Sequence, residues 1–172
     1  TLTVNLGSGD DSLTIASTAA NTTTLTTNAG ADSVTIESTA GTTTVNTNDG
    51  TDTVLVKGAG AATTINTGDD ADAVNVRAIG AVTTVNTGAA DDTITVGSLA
   101  PSTGGTVNAI AARLTFDAGT GSDTLTVDDT GDTAANTGTL TASELIGLGM
   151  TAGIGYSNAE TLNVNLGSGG RS

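Results

Sequence analysis

The chain has no cysteine, no histidine and no tryptophan, and a single proline among its 172 residues. Without cysteine, neither disulfides nor thiolate metal sites can form. Aromatic residues are almost missing, with Phe116 and Tyr156 alone, and hydrophobic residues make up 36% of the chain. A conventional aromatic-rich core is therefore excluded. The only basic residues are Lys57, Arg77, Arg113 and Arg171, set against 18 acids for a net charge of −14. That balance makes nucleic acid and anionic membrane surfaces poor partners. No apolar run approaches the length of a membrane span and no signal peptide is present, so membrane insertion is not expected of these residues. The first residue is Thr1, not Met, and the sequence reads as a fragment whose targeting signals lie elsewhere.

Low hydrophobicity with high net charge favours disorder, but the pattern opposes it. Val, Ile and Leu alternate with Thr over short runs, a period of two that disordered tracts have no reason to keep. The alternation is itself repeated. Asp11, Asp32, Asp52, Asp72 and Asp92 are spaced 21, 20, 20 and 20 residues apart, and Asp123 follows after 31. Each stands between a Gly/Asn-rich turn and a run such as Ser33-Val34-Thr35-Ile36. A fixed period near 20 residues marks a solenoid in which each repeat is one coil laid on the last.

One template fits the coils. A first strand (Thr43 to Thr47) enters a turn (Asn48 to Asp52), a second strand (Thr53 to Val56) follows, and a return turn (Lys57 to Ala62) closes the coil. β-Branched residues fill the strands while Gly, Asn, Asp and Ala fill the turns. Alternation assigns one inward row to Val4, Leu25, Val45, Ile65, Val85, Phe116 and Val164. It assigns two more to the second strand, one through Leu13, Val34, Val54, Val74, Ile94 and Leu125, the other through Ile15, Ile36, Val56, Val76, Val96 and Val127. Outward stand a Thr row (Thr3, Thr24, Thr44, Thr64, Thr84, Thr115) and a mostly Asn row (Asn5, Thr26, Asn46, Asn66, Asn86, Asp117, Asn165). The fold class expected is all-β: a parallel β-solenoid, or flattened β-roll, with two short strands per coil.

Regular coils are expected over 1–127, with an insertion in the return turn at 97–113. An irregular extra coil or a flanking insertion is expected over 128–160, too apolar for a plain linker. The stretch 161–172 reads as the start of a next coil or tile, because Thr161 to Gly169 restates Thr1 to Gly9 with one difference, Asn163 for Thr3.

Stacking places the turn acids in a row one strand spacing apart. Two unit charges about 5 Å apart repel by about 0.8 kcal/mol even in water. A divalent cation would remove this cost, and calcium is the ion suited to mixed carboxylate and carbonyl ligation. The alternative is a solvated acidic edge that tolerates its repulsion.

Here the segments Gly7-Ser8-Gly9-Asp10-Asp11-Ser12-Leu13 and Gly119-Thr120-Gly121-Ser122-Asp123-Thr124-Leu125 resemble the RTX calcium-binding β-roll nonapeptide, Gly-Gly-x-Gly-x-Asp-x-aliphatic-x. The resemblance implies calcium as cofactor, with Asp11, Asp32, Asp52, Asp72, Asp92 and Asp123 among its ligands. The chain departs from that pattern at the leading Gly, which is Leu6, Thr27, Thr47, Thr67, Thr87 or Ala118, and carries the motif at one turn of each coil. More broadly, the Thr/Asn/Gly/Asp repeats look like the long repetitive surface or secreted proteins of bacteria, similar to adhesins and extracellular fibres.

The function expected is therefore a structural module of an extracellular or cell-surface rod, fibre or adhesin. Its partner is expected to be itself, head to tail with neighbouring tiles or subunits, because solenoid ends leave unpaired backbone groups. A second expectation is a ligand- or ice-binding face made of the outward Thr/Asn rows. Dense Thr and the sequon Asn21-Thr22-Thr23 would also suit glycans. Enzymatic activity is not expected: Lys57 and Arg77 lie beside a narrow turn, where pairing with acids such as Glu37 is the ordinary role.

Overall fold

The computed structural model of the protein describes residues 1–169. The expected residues 170–172 of the last coil lie outside this range. Among the described residues every regular element is a strand, and the strands form two sheets. The first sheet takes the odd strands β1 (Leu2–Asn5), β3 (Thr23–Thr26), β5 (Thr43–Asp49), β7 (Thr63–Asp69), β9 (Thr83–Gly88) and β11 (Leu114–Asp117). The second takes the even strands β2 (Ser12–Ile15), β4 (Ser33–Ile36), β6 (Thr53–Val56), β8 (Ala73–Val76), β10 (Thr93–Val96) and β12 (Thr124–Asp129). All these neighbours run parallel, so the chain winds from one sheet to the other once per coil. The class is an all-β parallel solenoid.

The register is the sequence period made physical. Val54 pairs with Val34 on one side and Val74 on the other, and Val45 pairs with Leu25 and Ile65. Across the insertion the columns continue unbroken, with Phe116 beside Val85 and Leu125 beside Ile94. The inward Val/Ile/Leu rows of β3 to β12 are essentially sealed from solvent. Burying such side chains is the main favourable term available to a chain so poor in aromatics. The inserted residues 97–113 are not a loose bulge, since Ala100, Val107 and Ile110 are fully buried.

The interior is not purely aliphatic. In β5 the side chains of Thr43, Val45 and Thr47 all face in, while Thr44 and Asn46 face out. Two buried Thr rows thus flank the aliphatic one: Thr23, Thr43, Thr63, Thr83 and Thr27, Thr47, Thr67, Thr87.

Beyond β12 the winding changes. Strand β15 (Ile154–Ser157) joins β11 in parallel. On its far side lies an antiparallel pair, β14 (Glu144–Gly147) against β15 and β13 (Gly138–Leu140) against β14. The stretch between β12 and β15 therefore extends the first sheet as a meander. The last strand, β16 (Thr161–Leu166), pairs with β12 in the second sheet, Val164 lying beside Val127 and Asn165 beside Asp128. This corrects the expected placement of Val164 and Asn165 in the first-strand rows. The near-copy of β1 sits in the other sheet because β15 already holds the first-sheet place of that coil.

Candidate functional site

The parity of the second strand decides where the periodic aspartates point. Val34 and Ile36 face in, Ser33 and Thr35 face out, and Asp32, one residue ahead, shares the inward parity. The structure places all six expected residues in one column along the inner side of the turn. Asp32, Asp52, Asp72, Asp92 and Asp123 are at most 3% exposed, and Asp11, in the first coil, is half-buried.

One hydrogen bond repeats along the column. The backbone N–H of Asp11 donates to Oδ1 of Asp32, that of Asp32 to Asp52, that of Asp52 to Asp72, that of Asp72 to Asp92 and that of Asp92 to Asp123, each at 2.8 Å. The last rung is Glu160, whose Oε2 accepts from the N–H of Asp123 at 2.8 Å. The reading of the sequence missed Glu160, which interrupts the aspartate period. Its parity with Leu162 and Val164 was the available signal.

A second ladder runs beside the first. The buried hydroxyls of Thr27, Thr47 and Thr67 each donate to the backbone carbonyl of the corresponding threonine one coil on, and Thr87 donates to Ala118. On the outer face the amide of Asn66 donates to Asn46 and that of Asn86 to Asn66, both at 2.7 Å. Identical groups on adjoining coils satisfy one another, as expected where stacking is in register.

One atom per rung is left over. Oδ2 of Asp32, Asp52, Asp72, Asp92 and Asp123 is buried and makes no hydrogen bond. Burial pushes the carboxyl of Asp72 up from 3.8 to about 7, against the lowering influence of the Thr67 hydroxyl and the Asp52 N–H. Burial likewise raises Asp52, Asp92 and Asp123. Each raised group also has an acidic neighbour, Asp70 at Asp52 and Glu160 at Asp123.

This arrangement does not fit a calcium site. Calcium takes six to eight oxygens in its shell. Here Oδ1 of Asp32, Asp52, Asp72, Asp92 and Asp123 already accepts an N–H, each of these rungs offers one further buried carboxylate oxygen, and no group of three or more acids converges among the described residues. The column is a hydrogen-bond ladder holding coil to coil, and its side-chain carboxylates do not converge in threes as a shared cation would need.

The acids at the end of β12 and just after it do other work. Burial opposes ionisation of Asp128, but hydrogen bonds from Thr130 and Gly105 outweigh it and hold its carboxyl below the ordinary range. Asp132 is lowered by the Ala134 N–H and then by the Asn108 amide, with Asn136 also donating to it. Asp129 accepts from the Val107 N–H. These carboxylates pin the insertion at 97–113 to the loop that follows β12. Of the basic residues, Lys57 pairs with Glu37 at 2.8 Å, with both side chains well exposed.

Compared with family models, curated proteins and solved structures, the chain finds no match.

Proposed function

We propose that the chain is a structural module of an extracellular or cell-surface rod, fibre or adhesin, joined end to end with neighbouring tiles or subunits. The observation that carries this reading is the uniform column. Every coil from β3 to β10 repeats the same alternation of inward and outward positions at the same register. Such a stack supplies length and stiffness, and each coil contacts only its neighbours. Strands β1, β2 and β16 are each paired on one side only, which suits continuation by another tile. At the β16 end the β13–β14 pair overhangs the second sheet, and an open apolar notch of about 290 Å³ lies beneath it, lined by Leu140, Leu145, Leu148, Val164 and Leu166. Continuation there runs along the second sheet.

Calcium is not needed for this reading, since the column closes through its own N–H groups. Glycans on the exposed Thr rows remain compatible with it. A second reading, a ligand- or ice-binding face, draws on the regular outward Thr44, Thr64 and Thr84 row beside the Asn46–Asn66–Asn86 ladder, whose amides already bond to each other.

The test compares a single 172-residue unit with two and three units in tandem, by negative-stain microscopy and small-angle scattering. Rods of constant width whose length grows in proportion to unit number are expected. Compact particles whose width grows with unit number would overturn the rod.

A further inference from the structure

We propose that the aspartate column is a proton-bearing spine: its N–H···Oδ1 bonds tie coil to coil, the unpartnered Oδ2 atoms of Asp52, Asp72, Asp92 and Asp123 hold protons instead of ligating a cation, and the cohesion of the stack is therefore set by pH. This goes beyond the rod reading and stands whether or not tiles join into fibres.

The argument starts from one rung. Asp52 accepts the Asp32 N–H at Oδ1, while its Oδ2 is sealed from water and has no partner. Ionised, that carboxylate would keep a full charge away from water with one donor to stabilise it, and the next carboxylates would lie one coil above and below. An unpaired buried charge is far more costly than a buried neutral acid. Something must neutralise it.

Among the described residues the basic ones do not. Lys57 is held by Glu37 and Arg113 by Glu144, and the Arg77 guanidinium binds the carbonyl of Ala100. Among the described residues the charged groups that face the column are acidic: its own neighbouring rungs, Asp70 beside Asp52, Asp91 beside Asp92 and Asp123, and Glu160 beside Asp123. A metal ion would need several convergent oxygens, which the rungs do not supply. A proton needs one.

The threonine ladder does not satisfy Oδ2 either. Thr47, Thr67 and Thr87 lie beside Asp52, Asp72 and Asp92. A hydroxyl has one proton, and each of these is directed to a carbonyl of the next coil. Burial of each carboxyl outweighs the lowering influence of the hydroxyl beside it. The raised titration of Asp52, Asp72 and Asp92 has the same sense.

The sign of the pH dependence follows. A carboxyl whose pKa rises on folding binds more protons folded than unfolded between the two values. Its stabilising contribution is complete below the ordinary 3.8 and is lost as pH climbs through the folded value, about 7 for Asp72. The stack is tightest in mild acid and loosens toward neutrality, opposite to the usual acid denaturation of salt-bridged carboxylates.

The experiment follows thermal unfolding of the 172-residue chain by circular dichroism across this window, with ¹³C carboxyl NMR titration of the same chain. The melting midpoint is expected to fall by roughly 5–10 °C between pH about 4 and about 7. The Asp72 carboxyl is expected to titrate near neutrality. Asn keeps the Oδ1 acceptor and supplies an N–H where the carboxyl proton would be. The triple variant Asp52→Asn, Asp72→Asn, Asp92→Asn should therefore flatten the profile and melt above the native chain at neutral pH. Millimolar calcium should shift the native midpoint no more than magnesium does. The proposal is overturned if Asp72 titrates at its ordinary value. It is equally overturned if the triple variant is weaker than the native chain at neutral pH, or if calcium selectively raises the native midpoint and leaves that of the Asn variant unchanged. Should the triple variant fail to fold, the single Asp72→Asn and the native NMR titration decide alone.

Discussion

The coils from β3 to β10 and the meander from β13 to β15 extend the same sheet by opposite means. In the coils, the repeated ladder groups are answered by copies one coil away, Thr hydroxyl to Thr carbonyl and Asp N–H to Asp carboxylate. In the meander nothing has a copy. Its reversal of direction relies on left-handed backbone at Gly147, Leu148, Gly149 and Gly153. Its side chains find partners that occur once: Arg113 with Glu144, and the Tyr156 hydroxyl with the carbonyl of Thr141. Repetition lets a chain bury many hydroxyls and carboxyls with a small vocabulary, because one good geometry is reused at every coil. An irregular element needs a separate solution for each group.

If that contrast is sound, an insult to a column should spread, while one to the meander should stay local. The largest effect is expected from Val54→Asp. Val54 is fully buried between Val34 and Val74, and a charge there has no N–H to meet it. A loss of roughly 4 kcal/mol or more is expected, read as failure to fold or as a chemical-denaturation midpoint far below the native one. Amide exchange should show protection lost from β4 and β8 together. Exchange confined to β6 would contradict the idea that neighbouring coils stand or fall as a unit.

A subtler test uses the turn. Gly88 has φ of +101°, and a Cβ on it would come within 2.0 Å of the Gly68 carbonyl oxygen. Gly88→Ala should therefore destabilise by roughly 2–3 kcal/mol through strain and clash combined. Two residues on, Ala90 holds φ of +86° with a side chain that dislikes it. Ala90→Gly should stabilise by about 0.5–1 kcal/mol. Opposite signs at neighbouring positions, measured by urea unfolding, would show that the turn column demands glycine by geometry at each level. Equal signs would point to a turn that adapts coil by coil.

How far these features could be read from the residues follows the same contrast. The coil length, the two strands and the aliphatic columns were legible because period-two alternation and a fixed repeat are both local statements. The second strand of the template, Thr53 to Val56, is the observed β6. The inward aim of Asp52 was equally present in its parity with Val54 and Val56, but the residue type suggested a solvated turn. The buried Thr47 row was hidden for a similar reason, since threonine suits either face of a sheet. The sheet taken by β16 was not legible, because its residues nearly duplicate β1. What places it is Glu160 taking the rung above Asp123, together with β15 filling the first sheet. The antiparallel order of β13 and β14 depends on glycine turns and distant partners, which carry no period. The calcium expectation followed from charge spacing and motif, and neither shows that an N–H will face Oδ1 of the rungs from Asp32 to Asp123.

The smallest effect, and the sharpest probe of locality, is expected from Tyr156→Phe. Tyr156 stands in β15 beside Phe116 of β11, at the border between the parallel stack and the meander. Its hydroxyl donates to the Thr141 carbonyl at 2.5 Å, in an exposed setting where water can replace the bond. Losing one such bond should lower stability by about 0.5–1 kcal/mol, close to the limit of an equilibrium measurement. The ring stays, so the contact with Phe116 and the column behind it are untouched. The informative readout is therefore amide exchange resolved by segment. Faster exchange is expected in β13 and β14, with β7 to β11 unchanged, because the bond ties the meander to itself and adds nothing to a column. Equal acceleration through β9 and β7 would mean that the meander helps hold the coils beneath it, and the division between copied and single-use contacts would lose its physical basis.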